Sequence, residues 1–244
     1  MANLRFYSNA PLTPGENIVF SESAAAHAAR ALRLEVGDKV TVFNGDGLDY
    51  ACTLSVVKKN HVQATIGQAT AVHNESPLDI TLLQAISSGD RMDFTIQKSV
   101  ELGVKKIQPI ISQRSVVKLS SERAEKRTEH WQNIAISACE QSARAVVPEV
   151  LAPVSLDNWL GKNPAEKTTR ILLNPAGAKK LTALTLESTE IQLLIGAEGG
   201  LSESEITLAA THGFQSILLG PRILRTETAA LAAISAIQLQ WGDF

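Results

Sequence analysis

LLGPRILRTETAA, Leu218 to Ala230, and IGAEGG, Ile195 to Gly200, decide the reading of this chain. Each segment ends an apolar run rich in β-formers, turns on glycine and opens a helix. Two such loops predict neighbouring turns at the carboxyl edge of one sheet, where open α/β sheets bind ligands. Gly196, Gly199 and Gly200 permit close backbone approach and leave amides free at the start of a helix. Ser202 with Glu205 three residues later forms the capping box of that helix. The spacing is neither GxGxxG nor a Walker A loop, and no GKS or GKT follows, which argues against a dinucleotide fingerprint and an ATP or GTP cradle. In the later loop, Gly220-Pro221 breaks the strand, and Arg222 and Arg225 stand just before Thr226, Glu227 and Thr228. A helix start favours anions. Cations placed there predict either an anionic partner or an ion pair to Glu198 or Glu227.

Around these loops the pattern alternates. Asp79 to Ile86, Lys106 to Ile111, Arg170 to Leu173, Ile191 to Ile195 and Gln215 to Leu219 read as strands. Arg91 to Leu102, Ser121 to Arg144, Ser202 to Thr211 and Thr226 to Gln240 read as helices, with Gly103 and Gly213 at helix ends. The alternation predicts a largely parallel sheet covered on both faces. The last helix is apolar nearly all round, so it is expected to be buried, against a neighbouring segment and in a dimer interface. Upstream, Ile18 to Phe20, Lys39 to Phe43, Tyr50 to Val57 and His61 to Ile66 read as short strands, with Asn44-Gly45 and Lys59-Asn60 as turns. A helix from about Glu22 to Leu34 interrupts them, ended by Gly37, with Ala24, His27, Ala28, Ala31 and Leu32 on one face. On that apolar face His27 reads as a core histidine. Such small β units commonly bind. AVHNESPLD, Ala71 to Asp79, loses periodicity and reads as a linker, giving domains 1–72 and 73–244.

The 244 residues are 44% hydrophobic, with mean hydropathy near zero, as expected of a soluble chain with room for two cores. No apolar run approaches the roughly 20 residues of a membrane span, and MANLRFYSNA has no signal-peptide core, so a cytoplasmic location is expected. Cys52 and Cys139 lie far apart with no zinc spacing around them, and the histidines show no metal pattern, so no metal is expected. No GxSxG elbow is present. The net charge of −2 gives no global footprint for nucleic acid. Between Lys98 and Arg127, however, eight basic residues face three acidic ones, enough for a local phosphate-binding surface. Glu140, Gln141, Ser142 and Arg144 form a polar cluster at a helix end, which is usually solvated.

At several separated points the chain resembles the ribosomal RNA small subunit methyltransferase E family, the uridine-N3 methyltransferases of 16S ribosomal RNA within the SPOUT class. The points are Arg5-Phe6-Tyr7, His27 with Arg30 to Leu34 and Gly37-Asp38, Gln97 to Val104, Arg114-Ser115-Val116, Glu140-Gln141-Ser142, IGAEGG and LGPRILRTETA. They follow in order along essentially the whole chain. Two departures are Ala197, where the family usually has proline, and Ala143, where it commonly has glycine.

The resemblance implies a PUA-like β-barrel followed by a SPOUT α/β domain with a carboxyl-terminal trefoil knot, a homodimer, and S-adenosyl-L-methionine as cofactor. It implies 16S rRNA as substrate, in the assembled small ribosomal subunit. Carried over by position, the cofactor would meet Leu173, Asn174, Gly196, Glu198, Gly199, Gly200, Leu219, Gly220, Ile223, Leu224 and Thr228. Arg225 or Arg222 would stabilise the uracil anion, and Glu198 would accept the proton or orient the substrate. Arg5, Arg30, Arg33, Arg114 and Lys118 would hold RNA phosphates. Two other classes are weighed against this. A nucleotide-dependent oxidoreductase would need a glycine fingerprint after its first strand, yet Asp79 to Ile86 leads only into Ser87-Ser88-Gly89-Asp90. A non-catalytic RNA-binding protein is invited by Ala197 alone.

Overall fold

The structure is a computed structural model describing residues 4–115, 121–165, 167–177 and 179–244. The chain divides into two compact units, Met1–Glu75 with Ile136–Val147, and Ser76–Ala135 with Pro148–Phe244.

In the first unit, strands β1 (Arg5–Tyr7), β2 (Asn17–Val19), β3 (Lys39–Phe43), β4 (Leu48–Lys58) and β5 (His61–Ala71) form one sheet in the order β1-β3-β4-β5-β2. β4 and β5 are a long antiparallel hairpin with register shifts at Tyr50/Cys52 and Leu54/Val56. Irregularities of this kind bend a strand pair and let a small sheet curl. Val62, Ala64 and Ile66 point inward at period two and join Phe6, Phe20, Val42 and Leu54 in the core. β1 went unanticipated, because three residues carry too little pattern to read.

Helix α1 (Glu22–Ala26) widens into a π-helical turn, His27–Ala31, closed by the Leu32 amide on the His27 carbonyl at 3.0 Å. The helix is therefore shorter than expected and differently rotated. Ala25 and Ala28 are buried, whereas His27, Ala31 and Leu32 are exposed. His27 is thus not a core histidine; its ring meets Phe6 edge-on at 6.0 Å.

Arg5 is the main correction in this unit. Its side chain is fully buried and paired with Asp49, it donates to the Arg144 carbonyl at 3.1 Å, and its guanidinium lies over the Phe43 ring. No face remains for an RNA phosphate. Of the polar cluster Glu140, Gln141, Ser142 and Arg144, Gln141 is exposed as expected, whereas Glu140 is partly and Arg144 fully withdrawn from solvent. Glu140 accepts the Tyr7 amide at 2.9 Å, and burial pushes its carboxyl pKa up against that bond. Arg144 donates to both oxygens of Glu75, at 3.0 and 2.5 Å. Both cysteines are buried, and burial pushes the Cys139 thiol up to about 12.

The second unit contains β6 (Asp79–Ala85), α2 (Arg91–Glu101), β7 (Lys106–Ile111), α3 (Ser121–Ser142, whose last turns fall in the first unit), β8 (Glu149–Val150), β9 (Val154–Ser155), α4 (Leu156–Lys162), β10 (Thr169–Leu173), β11 (Lys179–Lys180), β12 (Glu190–Ile195), α5 (Glu203–Thr211), β13 (Gln215–Leu218) and α6 (Thr226–Trp241). The sheet order is β11-β13-β10-β12-β6-β7-β8, with β9 on β7, and each pairing is parallel. Leu83, Leu172 and Leu194 pack with Trp159 and Leu160 of α4 and Ala209 of α5. By strand alternation Gln84 points to the other face, where it bonds Thr226 at the start of α6. The helices thus divide between the two faces. α6 buries Ala230, Ala233, Ile234 and Ile237 but leaves Leu239 at 72% exposure. α4, β8, β9 and β11 are too short to carry a periodic signal. No helix among the described residues is long and apolar enough to cross a membrane.

Candidate active site

Strands β13, β10 and β12 lie side by side with level carboxyl ends, since Leu172 pairs with both Ser216 and Leu194. Their loops therefore emerge together. Leu173 to Ala176, Gly196 to Leu201 and Leu219 to Arg225 bound one cleft of about 710 Å³, within the size range of small-molecule sites. The expected pairing of the two glycine loops is present, and a third loop, after β10, joins them.

Local chemistry shapes each wall. A Cβ on Gly196 would lie 2.8 Å from the Gly200 backbone, and Gly200 itself has φ +67. Side chains at either position would open the tight turn closed by the Gly200 amide on the Ala197 carbonyl at 2.9 Å. The next residues enter α5 through the Ser202–Glu205 capping box. Asn174 shapes the third loop by accepting the Ala176 amide on Oδ1 at 3.0 Å. The later loop is pinned by Thr226, whose hydroxyl donates to the Gly196 carbonyl at 2.6 Å and accepts from Gln84 Nε2 at 2.8 Å.

The charges sort into two kinds. Glu198 Oε1 accepts the Ser88 amide at 2.9 Å, the Ser88 hydroxyl at 2.7 Å and Arg91 at 2.7 Å. Partial burial works to raise its pKa, but the two Ser88 bonds and Arg91 outweigh it and hold the carboxyl at about 2. A carboxylate so stabilised is a weak base, so the geometry gives Glu198 an anchoring role and corrects the expectation of a proton acceptor. Arg222 and Arg225 are exposed at the cleft, and neither is ion-paired among the described residues. The alternative of a bridge to Glu198 or Glu227 is not realised, because Arg91 takes Glu198. Two unneutralised cations beside a glycine-lined cleft can favour an anion.

Leu173, Asn174, Gly196, Glu198, Gly199, Gly200, Leu219, Gly220, Ile223 and Leu224 line the cleft, as do Arg222 and Arg225. Thr228 does not: two residues into α6 it is exposed, while Thr226 carries the inward position. Arg114 donates to the Gly199 carbonyl at 3.0 Å and so belongs to the cleft wall. Arg30 is exposed and bonded to Asn60. Arg33 is exposed with φ 54. Lys118 lies outside the described residues. The sequence reading missed Ser88, Arg91, Pro175 and Ala176, and named Thr226 only within the polar cluster that opens α6. Arg91 opens a helix after Ser-Ser-Gly-Asp, a signal read only as the lack of a fingerprint. Among the described residues, no group of His, Cys, Asp and Glu could hold a metal ion.

The family described as RNA methyltransferase domain matches residues 74–238, and that described as RNA methyltransferase PUA domain matches 20–67. The ribosomal RNA small subunit methyltransferase E of Buchnera aphidicola subsp. Schizaphis graminum is 37% identical, covering 98% of this chain and 97% of the relative. Its counterpart from Bacillus subtilis is 32% identical over 88% of this chain and 86% of the relative. Among solved structures, ribosomal RNA small subunit methyltransferase E from Neisseria gonorrhoeae, bound to S-adenosyl methionine, superposes with a TM-score of 0.91 at 45% identity over 98% of each chain. A Legionella pneumophila protein solved in complex with bound cofactor SAM superposes with a TM-score of 0.94 at 41% identity over 99% of each. With a PUA-like domain ahead of a SPOUT methyltransferase domain of the trefoil-knot class, the chain belongs to the ribosomal RNA small subunit methyltransferase E family.

Proposed function

We propose that this protein transfers the methyl group of S-adenosylmethionine to N3 of a uridine in 16S ribosomal RNA of the small ribosomal subunit. The observation that carries the reading is the glycine-lined cleft at the carboxyl ends of β13, β10 and β12, in a chain alike along its whole length to a methyltransferase bound to that cofactor.

The residues present fit the cofactor. Leu219, Ile223 and Leu224 offer apolar cover for adenine, the backbone of Gly196 to Gly200 offers polar groups at close range, and Leu173 and Asn174 complete the wall. The chemistry supplied by bound S-adenosylmethionine is an activated methyl on a sulfonium. The chain must then align the uracil and stabilise its anion. Alignment alone contributes about 7–11 kcal/mol in favourable cases. Arg225, with Arg222 beside it, stabilises the charge that develops as the imide proton leaves. Glu198 holds the glycine loop to Ser88 and Arg91.

Residues 1–72 form the body of the RNA-binding part, whose compact unit also takes in Ile136–Val147, and the rest of residues 73–244 the transferase. Arg30, Arg33 and Arg114, with Lys118, contact phosphates, so binding weakens steeply with salt. The protein works as a homodimer in the cytoplasm, an assembly supported by the apolar α6 and its exposed Leu239. The test is transfer of labelled methyl from S-adenosylmethionine to small subunits isolated from cells lacking the protein. Incorporation into 16S rRNA is expected. Absent incorporation together with absent cofactor binding would overturn the reading.

A further inference from the structure

Deprotonating N3 of a uracil calls for a base. Glu198 and Glu227 are the carboxylates among the residues lining the cleft. Glu198 is committed to Ser88 and Arg91 and held at about 2. Glu227 is different. Its Oε2 is buried and has no hydrogen-bond partner. Leaving a buried carboxylate oxygen without a donor is costly, and the arrangement makes sense when the donor arrives with a ligand.

Glu227 also walls a second hollow, of about 480 Å³, with Ser88, Gly89, Asp90, Arg91 and Phe94. Arg91 and Glu227 line both spaces, so hollow and cleft adjoin. Phe94 is 46% exposed there, a surface aromatic of the kind on which single-stranded bases stack. An aromatic face, the Glu227 residue on the shared wall and the adjoining cofactor cleft together describe a seat for one flipped-out base.

We propose that the hollow seats the target uracil, with Phe94 against the ring and Glu227 as the residue that takes the N3 proton. The inference rests on the methyltransferase reading and deepens it. In the step, the N3–H bond breaks as an O–H bond forms on the Glu227 carboxylate. Negative charge passes from the carboxylate to the imide, where Arg225 and Arg222 favour it, and the proton later leaves to water. The ionised N3 is the nucleophile for the methyl group that the cofactor supplies.

The test compares Glu227→Gln with the unaltered protein on small subunits, alongside calorimetric titration of S-adenosylmethionine. Unchanged cofactor affinity is expected, with a rate lower by about 10²- to 10⁴-fold. The variant's rate should climb steadily with pH as the imide ionises by itself. Subunits built with 5-fluorouridine, whose imide is more acidic, should recover much of the loss. Independently of turnover, Phe94→Ala should weaken subunit binding measured without cofactor by about tenfold or more, and Phe94→Tyr should restore it. A Glu227→Gln protein with unaltered rate and pH profile, or one that has lost cofactor affinity instead, overturns the assignment. If the unaltered protein binds cofactor but transfers nothing to subunits, the functional reading fails first.

Discussion

Thr226 and Gly196 are joined by a 2.6 Å hydrogen bond from hydroxyl to carbonyl oxygen, which ties the first residue of α6 to the first residue of the glycine loop. The same hydroxyl accepts from buried Gln84, so one side chain closes three segments around the cleft. Thr226→Val keeps the shape and removes these bonds, at a cost of about 1–3 kcal/mol for the polar groups left behind. Calorimetry should find weaker cofactor binding and thermal unfolding a lower midpoint. An unchanged affinity would mean the tie does not organise the cleft.

Glu198 sets a pH dependence. A carboxyl held at about 2, below its ordinary value of 4.5, stabilises the folded state above the ordinary value and loses that contribution as pH falls toward 2. Glu198→Gln removes that contribution. Melting midpoints of the two proteins should therefore differ at neutral pH and converge between about pH 4.5 and 2. The gap will be modest, because the Glu198–Arg91 pair is partly exposed. Parallel curves across that window would argue against the ion pair.

Ala143 follows α3 with φ +61, a left-handed conformation that costs a residue bearing Cβ roughly 1–2 kcal/mol. A glycine would adopt this conformation without that cost. Ala143→Gly should raise stability by about 1 kcal/mol, read from chemical denaturation. A loss of stability would show that this backbone is not strained.

Arg5 and Arg30 should separate cleanly. Arg5→Met removes the donor that the part-exposed Asp49 and the Arg144 carbonyl share, with an expected loss of about 1–3 kcal/mol in stability and no effect on the salt slope of RNA binding measured on the folded protein. Arg30→Ala should leave the melting midpoint nearly unchanged and flatten the salt slope by about 1. The reverse pattern would return Arg5 to the RNA surface.

Much of this was legible in the sequence, and the gaps have physical causes. The parallel sheet followed from continuous apolar strands alternating with helices, and the glycine loops followed from IGAEGG and LLGPR. Short elements such as β1 and α4 carry fewer residues than a period needs. The π-helical turn at His27 shifted a face that a regular helix would have buried. Arg5 read as a surface cation because its partners, Asp49 and the Arg144 carbonyl, are distant in sequence. Arg91 and Ser88 entered the site for the same reason: Glu198, which they hold, lies more than a hundred residues away.

The central claim is tested most directly by nucleoside analysis of 16S rRNA after labelled methyl transfer to small subunits, with Arg225→Ala beside the unaltered protein. The account predicts N3-methyluridine at one site, with the rate lowered by about 10²- to 10³-fold in the variant while its fold persists. Label on a ribose hydroxyl or a ring carbon, or full activity without Arg225, would contradict it.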